Sequence, residues 1–237
     1  MRYNSQMKKI AIVMPVLNQF ELGIKALESV QVSHHAYWQP FIIDNWDVNK
    51  GVAAAWNLGT KRAIDAGFNY ILIINDDVVL APNTPEHLSS VIDNDDIGLA
   101  SATDFRDTMS PIEVKNSSHV YYENDIIDAP DFSCFMITPD TYDHIGDFDE
   151  GFSPAYFEDN DYCYRTILSG LKCVRSQSAM FYHYGSKTNE GGNVLSHSEF
   201  SANRNRFVSK WGGFPGGETF TKPWNDNALN WRDSRKE

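Results

Sequence analysis

Tyr70-Ile71-Leu72-Ile73-Ile74-Asn75-Asp76-Asp77-Val78-Val79-Leu80 is the stretch on which the fold of this chain turns. Ile71 to Ile74 are consecutive aliphatics with no polar break. Such a run predicts a strand buried on both faces, as in a parallel sheet. It stops abruptly in two carboxylates. Open α/β sheets place their ligands at that point, outside the carboxyl ends of the strands. Asp77, with Asp76 beside it, therefore reads as a contact for a metal that holds a phosphate. The competing reading is a turn, because Asn and Asp are common where strands end. The rest of the chain decides between them.

Working towards the N-terminus, Val52, Trp56, Gly59 and Ala63 recur at helical spacing, after Asn49-Lys50-Gly51 and before a closing Ala66-Gly67. Phe41-Ile42-Ile43 predicts a short buried strand that ends in Asp44-Asn45. Leu22, Ala26, Leu27 and Val30 predict a helix from Phe20 to about Gln31. Lys9 to Met14 predicts a first buried strand, stopped by Pro15. The order is β-α-β-α-β, which implies right-handed crossovers and a mostly parallel central sheet flanked by helices.

Towards the C-terminus the pattern loosens. A short helix to Ile92 and a strand at Ile97–Ala102 follow. Residues 103–130 read as a polar excursion with a β-like piece at His119–Tyr122. Phe132–Thr138 is strand-like, and Pro139 opens a helix towards Ile145. Glu158–Gly170 predicts a helix. Cys173-Val174 and Ala179–Tyr184 read as separate strand pieces. Residues 185–198 read as a mobile Gly-rich loop, and a last helix is expected from Ser198 to Trp211. No composition break marks a second domain, so residues 1–237 are expected to form one.

Composition narrows the function. A formal net charge of −12 disfavours broad binding of nucleic acid or anionic membrane. Three cysteines with no C-x-x-C pair suit a reduced, cytoplasmic protein. No run approaches the ~18 apolar residues of a membrane span. The Gly51 region carries neither a Walker loop nor G-x-G-x-x-G, which disfavours an NTPase or a dinucleotide enzyme. A carboxylate cannot hold a phosphate directly, so a hard cation, Mn²⁺ or Mg²⁺, must bridge them.

Two further groups bear on chemistry. Glu158-Asp159-Asn160-Asp161 opens a helix. Acids favour that position through capping and the helix dipole, but three in four residues exceed what capping requires. A carboxylate held ionised by the dipole suits a general base. Asp161 and Arg165 are spaced i, i+4 and suit a surface pair. His183, in Phe181-Tyr182-His183-Tyr184-Gly185-Ser186, reads either as a structural histidine or as a metal ligand.

These segments together resemble a family 2 glycosyltransferase of the GT-A fold, rhamnosyl- or galactofuranosyltransferase-like. Met14-Pro15-Val16-Leu17-Asn18 resembles the family's P-x-x-N loop, and Asp44-Asn45 its base-binding D-N. Asn49-x-Gly51-x-Ala53-x-x-x-Asn57-x-Gly59 resembles its N-x-G helix. Asn75-Asp76-Asp77 stands at the D-x-D metal motif, with Asn in place of the first Asp. Phe148-Asp149-Glu150-Gly151-Phe152, followed by Glu158-Asp159-Asn160-Asp161 and Arg165, resembles the acceptor segment. His183-x-x-Ser186 resembles the late metal-ligand motif.

The resemblance implies inverting transfer of a sugar from a nucleotide-diphospho-sugar, UDP being the commonest carrier. Residues of about 9–102 would bind the donor through Pro15, Leu17, Asn18, Asp44, Asn45, Asn49, Gly51, Asn57, Asn75 and Asp76. Residues of about 103–211 would bind the acceptor through Asp149, Glu150, Glu158 and Asp161, with 212–237 as a tail. Asp77 and His183 would hold Mn²⁺ or Mg²⁺, and Asp159 would be the base. The acceptor stays open among a glycan, a lipid-linked sugar, a protein and a modified nucleic-acid base such as hydroxymethylated viral DNA. A non-catalytic sugar-nucleotide-binding module and a nucleotidyltransferase are the alternatives. The latter normally wants a Gly-rich basic loop, which Pro15 to Asn18 lacks.

Overall fold

The structure is a computed structural model that describes residues 7–117, 122, 125–185 and 196–223. The expected β-like piece at 119–122 and the Gly-rich loop with Ser186 fall largely outside them.

The first half follows the expected order: β1 (Lys8–Val16), α1 (Phe20–Ser29), β2 (Ala36–Asp44), α2 (Val52–Asp65) and β3 (Tyr70–Ile74). β1 pairs in parallel with β2 on one side and β3 on the other. The aliphatic run is buried on both faces, as its composition requires. Leu72 and Ile74 join Ile10, Ile12 and Met14 in one core, against Ala26 of α1. Ile71 and Ile73 join Ala11 and Val13 in the other, against Trp56 of α2. Two features differ from expectation. β1 runs through Pro15, which sits past the last residue paired with β3, Val13, and so interrupts none of that ladder. β2 is a long, mostly exposed edge strand, where Pro40 is tolerated.

Beyond β3 come β4 (Val78–Leu80), α3 (Thr84–Ile92), β5 (Ile97–Asp104), α4 (Pro111–Lys115), β6 (Ile126–Ile127) and β7 (Cys134–Ile137). α5 (Pro139–Ile145), α6 (Glu158–Leu168), β8 (Lys172–His183) and α7 (His197–Trp211) complete the described elements. The sheet order is β2-β1-β3-β7-β5-β8-β4, with β6 paired to β8. The sheet is mixed: β1, β2, β3, β5 and β8 run the same way, as a mostly parallel sheet requires, and β4, β6 and β7 run against them. β7 is inserted antiparallel between β3 and β5, and β4 runs antiparallel to β8. The reversed strands all lie beyond β3, where the β-α-β-α-β pattern ends. The two late strand pieces are one strand, β8, whose register against β5 shifts in the middle. No helix among the described residues is long and apolar enough to cross a membrane.

Candidate active site

A cavity of about 450 Å³ opens at the carboxyl ends of β1 and β3. Its inner wall is set by the β4–β8 ladder. Val78 pairs with His183, and the Tyr184 N–H donates to the Asp77 carbonyl at 2.9 Å. That register brings Asp77 Oδ1 and His183 Nε2 to 3.0 Å from each other, both buried. On the far side of the imidazole, Arg106 Nη2 lies 2.8 Å and Ser133 Oγ 3.3 Å from Nδ1. Arg106 is itself held by Asp104. Asp76 Oδ2 accepts from the Leu17 N–H at 3.4 Å, and the Asn75 N–H donates to the Ser133 carbonyl at 3.0 Å.

The opposite wall is the start of α6. Tyr156 and Phe157, immediately before it, hold φ of +75° and +76°. Two successive non-glycine residues in the left-handed region are strained, and strain of that kind gathers at functional sites. It turns Glu158 and Asp159 into the cavity. Asp159 Oδ1 accepts from the Asn160 N–H at 2.8 Å. Burial nevertheless outweighs its backbone hydrogen bonds and raises the Asp159 pKa. The helix start therefore does not pull Asp159 below the ordinary aspartate value, burial being the larger effect. Glu158 is buried, and among the described residues its Oε2 has no hydrogen-bond partner. Burial first, then the charge of Asp159, pushes its pKa well above the ordinary range.

Ten of the expected residues line this one cavity: Pro15, Leu17, Asn45, Asn49, Asn75, Asp76, Asp77, Glu158, Asp159 and His183. Seven do not. Asn18 is half-buried in the loop after β1. Asp44 is exposed and accepts from the Trp46 N–H at 2.8 Å. Gly51, at φ +89°, lets the start of α2 press against Ser153 and Pro154. Asn57 is a buried strut: its Nδ2 donates to the Phe148 carbonyl and to Glu150, each at 2.9 Å. Asp149 is paired with Arg206 and Lys210, each at 2.8 Å. Asp161 is fully buried between Arg165 at 2.9 Å and Lys210 at 2.6 Å. Asp149, Glu150 and Asp161 therefore fix the backbone around residues 148–165 in place and do not line the cavity. The Asp161–Arg165 pair lies in the interior, not on the surface, because Arg165 also donates to the Ile145 and Asp147 carbonyls.

The cavity also holds residues the sequence did not single out. Asp131 brings its lining carboxylates to five, with Asp76, Asp77, Glu158 and Asp159, against Arg175 and His183 as the basic groups. This surplus of negative charge favours a cationic occupant or a metal with its anion. Arg175 Nε is buried without a hydrogen-bond partner among the described residues. A signal for it existed: a charge between buried Val174 and Ser176 is out of place in a structural strand.

No protein-family model and no curated protein matches the chain. Solved structures do. GalNAc-T7 with UDP, GalNAc and Mn²⁺ superposes at TM-score 0.62 and 13% identity, over 88% of this chain and 50% of that one. The mannosyltransferase PcManGT from Pyrobaculum calidifontis, in complex with GDP-Man and Mn²⁺, superposes at TM-score 0.57 and 10% identity, over 84% and 61%. The fold is that of the GT-A glycosyltransferases. This chain spans about half and about three-fifths of the length of those two proteins.

In this GT-A fold the donor set at Asp77 and His183 suits a divalent metal. Two ligand atoms 3.0 Å apart are spaced like adjacent corners of an octahedron with bonds of about 2.1 Å. Among the described residues no cluster of three His, Cys, Asp or Glu side chains comes together. Two protein ligands suit Mn²⁺ or Mg²⁺, which complete their shells with water and substrate phosphate oxygens.

Proposed function

We propose that this protein is a metal-dependent inverting glycosyltransferase, family 2-like, that uses a nucleotide-diphospho-sugar, with a UDP-sugar the first donor to test. One observation carries the reading: a metal-suited pair, Asp77 and His183, and a carboxyl pair, buried Glu158 and half-buried Asp159, face one cavity. Both GT-A neighbours were solved with Mn²⁺ and a nucleotide or nucleotide sugar, which supports it.

The donor would lie along Pro15, Leu17, Asn45 and Asn49, with its diphosphate towards Asp77 and His183. A Mn²⁺ or Mg²⁺ bound there supplies Lewis-acid stabilisation of the leaving diphosphate. Asp159 takes the proton from the acceptor hydroxyl as that oxygen bonds to the anomeric carbon from the opposite face. The glycosidic bond to phosphate breaks, and its electron pair leaves on the nucleoside diphosphate. A raised pKa makes Asp159 a stronger base than an ordinary carboxylate, matched to work nearer neutral pH. Glu158, whose Oε2 has no hydrogen-bond partner among the described residues and whose proton is held more tightly by burial, would meet a substrate oxygen there.

The test is nucleoside diphosphate release from a panel of nucleotide sugars with Mn²⁺, together with donor binding by calorimetry. Turnover that Asp159→Asn abolishes while binding persists is the expected result. Binding without turnover under every acceptor would favour a non-catalytic sugar-nucleotide-binding module. Release of pyrophosphate would indicate a nucleotidyltransferase.

A further inference from the structure

We propose that a second cavity, behind Asp159, is the acceptor site, and that it selects an uncharged glycoside and rejects acceptors with a phosphate near the attacking hydroxyl. The proposal rests on the transfer reading above and extends it to the acceptor's chemistry. The second cavity measures about 500 Å³ and shares Pro130, Phe132 and Asp159 with the first. Asp159 thus stands in the partition between two spaces, where a base must stand if donor and acceptor arrive from different sides.

One wall is the face of α6 that carries Asn160, Tyr164 and Ile167. The other comes from Pro215, Gly216 and Glu218, downstream of α7. That segment is anchored in place. The Thr219 and Phe220 N–H groups donate to the Trp211 carbonyl at 3.0 Å, and the Tyr164 hydroxyl donates to the Phe220 carbonyl at 2.9 Å. Phe132, Ile167 and Leu171 supply apolar surface, and Ile167 is 57% exposed although no core needs it there. Together with half-buried Phe132 and Leu171 it gives the cavity an apolar side that a ligand can cover.

The charges decide the class of ligand. Asp128, Asp159 and Glu218 line this cavity, and its one lysine, Lys172, holds its ammonium 2.6 Å from Asp96. Among the described residues no arginine lines it. A phosphate would meet like charge at short range, and among the described lining residues no cation is left to hold it. A neutral sugar can give its hydroxyls to the carboxylates and lay its C–H face or an apolar aglycone on Phe132 and Ile167.

The experiment compares methyl glycosides, p-nitrophenyl glycosides and 1-phosphates of the same sugars. Binding is read first, by ligand-observed NMR without donor, and transfer second. Aryl glycosides are expected to bind about tenfold more tightly than methyl glycosides, the worth of one well-packed apolar group. Sugar phosphates are expected to bind at least about tenfold more weakly than aryl glycosides. Ile167→Lys, a change at an exposed position, should erase the aryl preference and improve the sugar phosphates. Sugar phosphates that bind as well as aryl glycosides, or an Ile167→Lys protein with unaltered preference, would overturn the proposal. Absence of any donor binding would instead overturn the transfer reading, and the NMR arm would still test the cavity.

Discussion

Trp211 donates its indole N–H to Asp161 across 2.8 Å, and Lys210, the residue before it, stands 2.6 Å from the same carboxylate oxygen. The end of α7 is thereby fastened to the first turn of α6, the turn that presents Glu158 and Asp159. Arg165 takes the other oxygen at 2.9 Å. Every group in this cluster is buried, so each charge depends on its partner.

Asp161→Ala should therefore behave as a folding mutation. Leaving Arg165 without its carboxylate, and Lys210 with Asp149 alone, should cost about 3–5 kcal/mol. Denaturant unfolding will measure that loss. Asp159→Asn, two residues away, should hold or raise the transition midpoint, because it removes a carboxyl whose ionisation burial opposes. Its cost should fall on transfer, about 10²–10⁴-fold in kcat. A large stability loss in Asp159→Asn would reassign it to the scaffold.

Glu158→Gln should stabilise the protein at neutral pH. The folded-state pKa of Glu158 is raised, so the folded state binds the proton more tightly than the unfolded chain does. Stability from this group is complete below the ordinary glutamate value of 4.5 and is lost as pH rises through the folded pKa. Thermal unfolding of wild type and Glu158→Gln should differ most at neutral pH and converge near pH 4. A constant gap across that range would show that burial does not perturb Glu158.

Transfer should also lose rate on the acid side. Asp159 must be ionised to take a proton, and its raised pKa places the acid limb of kcat/KM above the ordinary aspartate value of 3.8. Asp159→Glu should keep a limb and move it. A profile indifferent to this substitution would point to another base.

Asp77→Ala and His183→Ala should each lower Mn²⁺-dependent activity by about 10²-fold or more, the order of several kcal/mol of Lewis-acid stabilisation. Chelation should reduce wild type to the level of these variants and leave the variants themselves unaffected. Activity in wild type that survives chelation unchanged would remove the metal from the mechanism.

Gly59→Ala tests the packing beneath the site. A methyl there would stand 2.2 Å from Val13 Cγ1, so α2 must move off β1. Overpacking of this kind costs about 1–3 kcal/mol, readable in chemical denaturation. An unaltered midpoint would mean that the two elements yield more easily than their contact suggests.

Much of this was legible in the chain itself. Ile71 to Ile74 announced a two-sided core because a hydrophobic run without alternation has no solvent face to offer. The polar ends of β1, β2 and β3 pointed to one edge of the sheet, and that edge holds the cavity. What stayed hidden depended on contacts between distant segments. Asp149, Asp161 and Asn57 have the residue types of a binding site, and only their partners, Lys210, Arg165 and Glu150, show that they brace the backbone. Arg175 was hidden because β8 reads as two short pieces, the register shift breaking its pattern in the middle. The mixed sheet was hidden for a related reason: β7 is too short for its direction to be read from sequence, and direction there depends on which strands it joins.

The insertion of β7 against the direction of β3 has an effect on which segment of the chain reaches the cavity. An antiparallel neighbour brings its leading end, not its trailing end, to the edge where β1 and β3 finish. The peptide that precedes β7 therefore arrives at the cavity directly, and Ser133 is tied there to Asn75 by a backbone bond of 3.0 Å. The segment between β5 and that anchor is fastened as well, by Arg106 to His183 and by β6 to β8. That one segment thus sets part of the cavity wall, through Asp131 and Ser133, and the placement of His183 together.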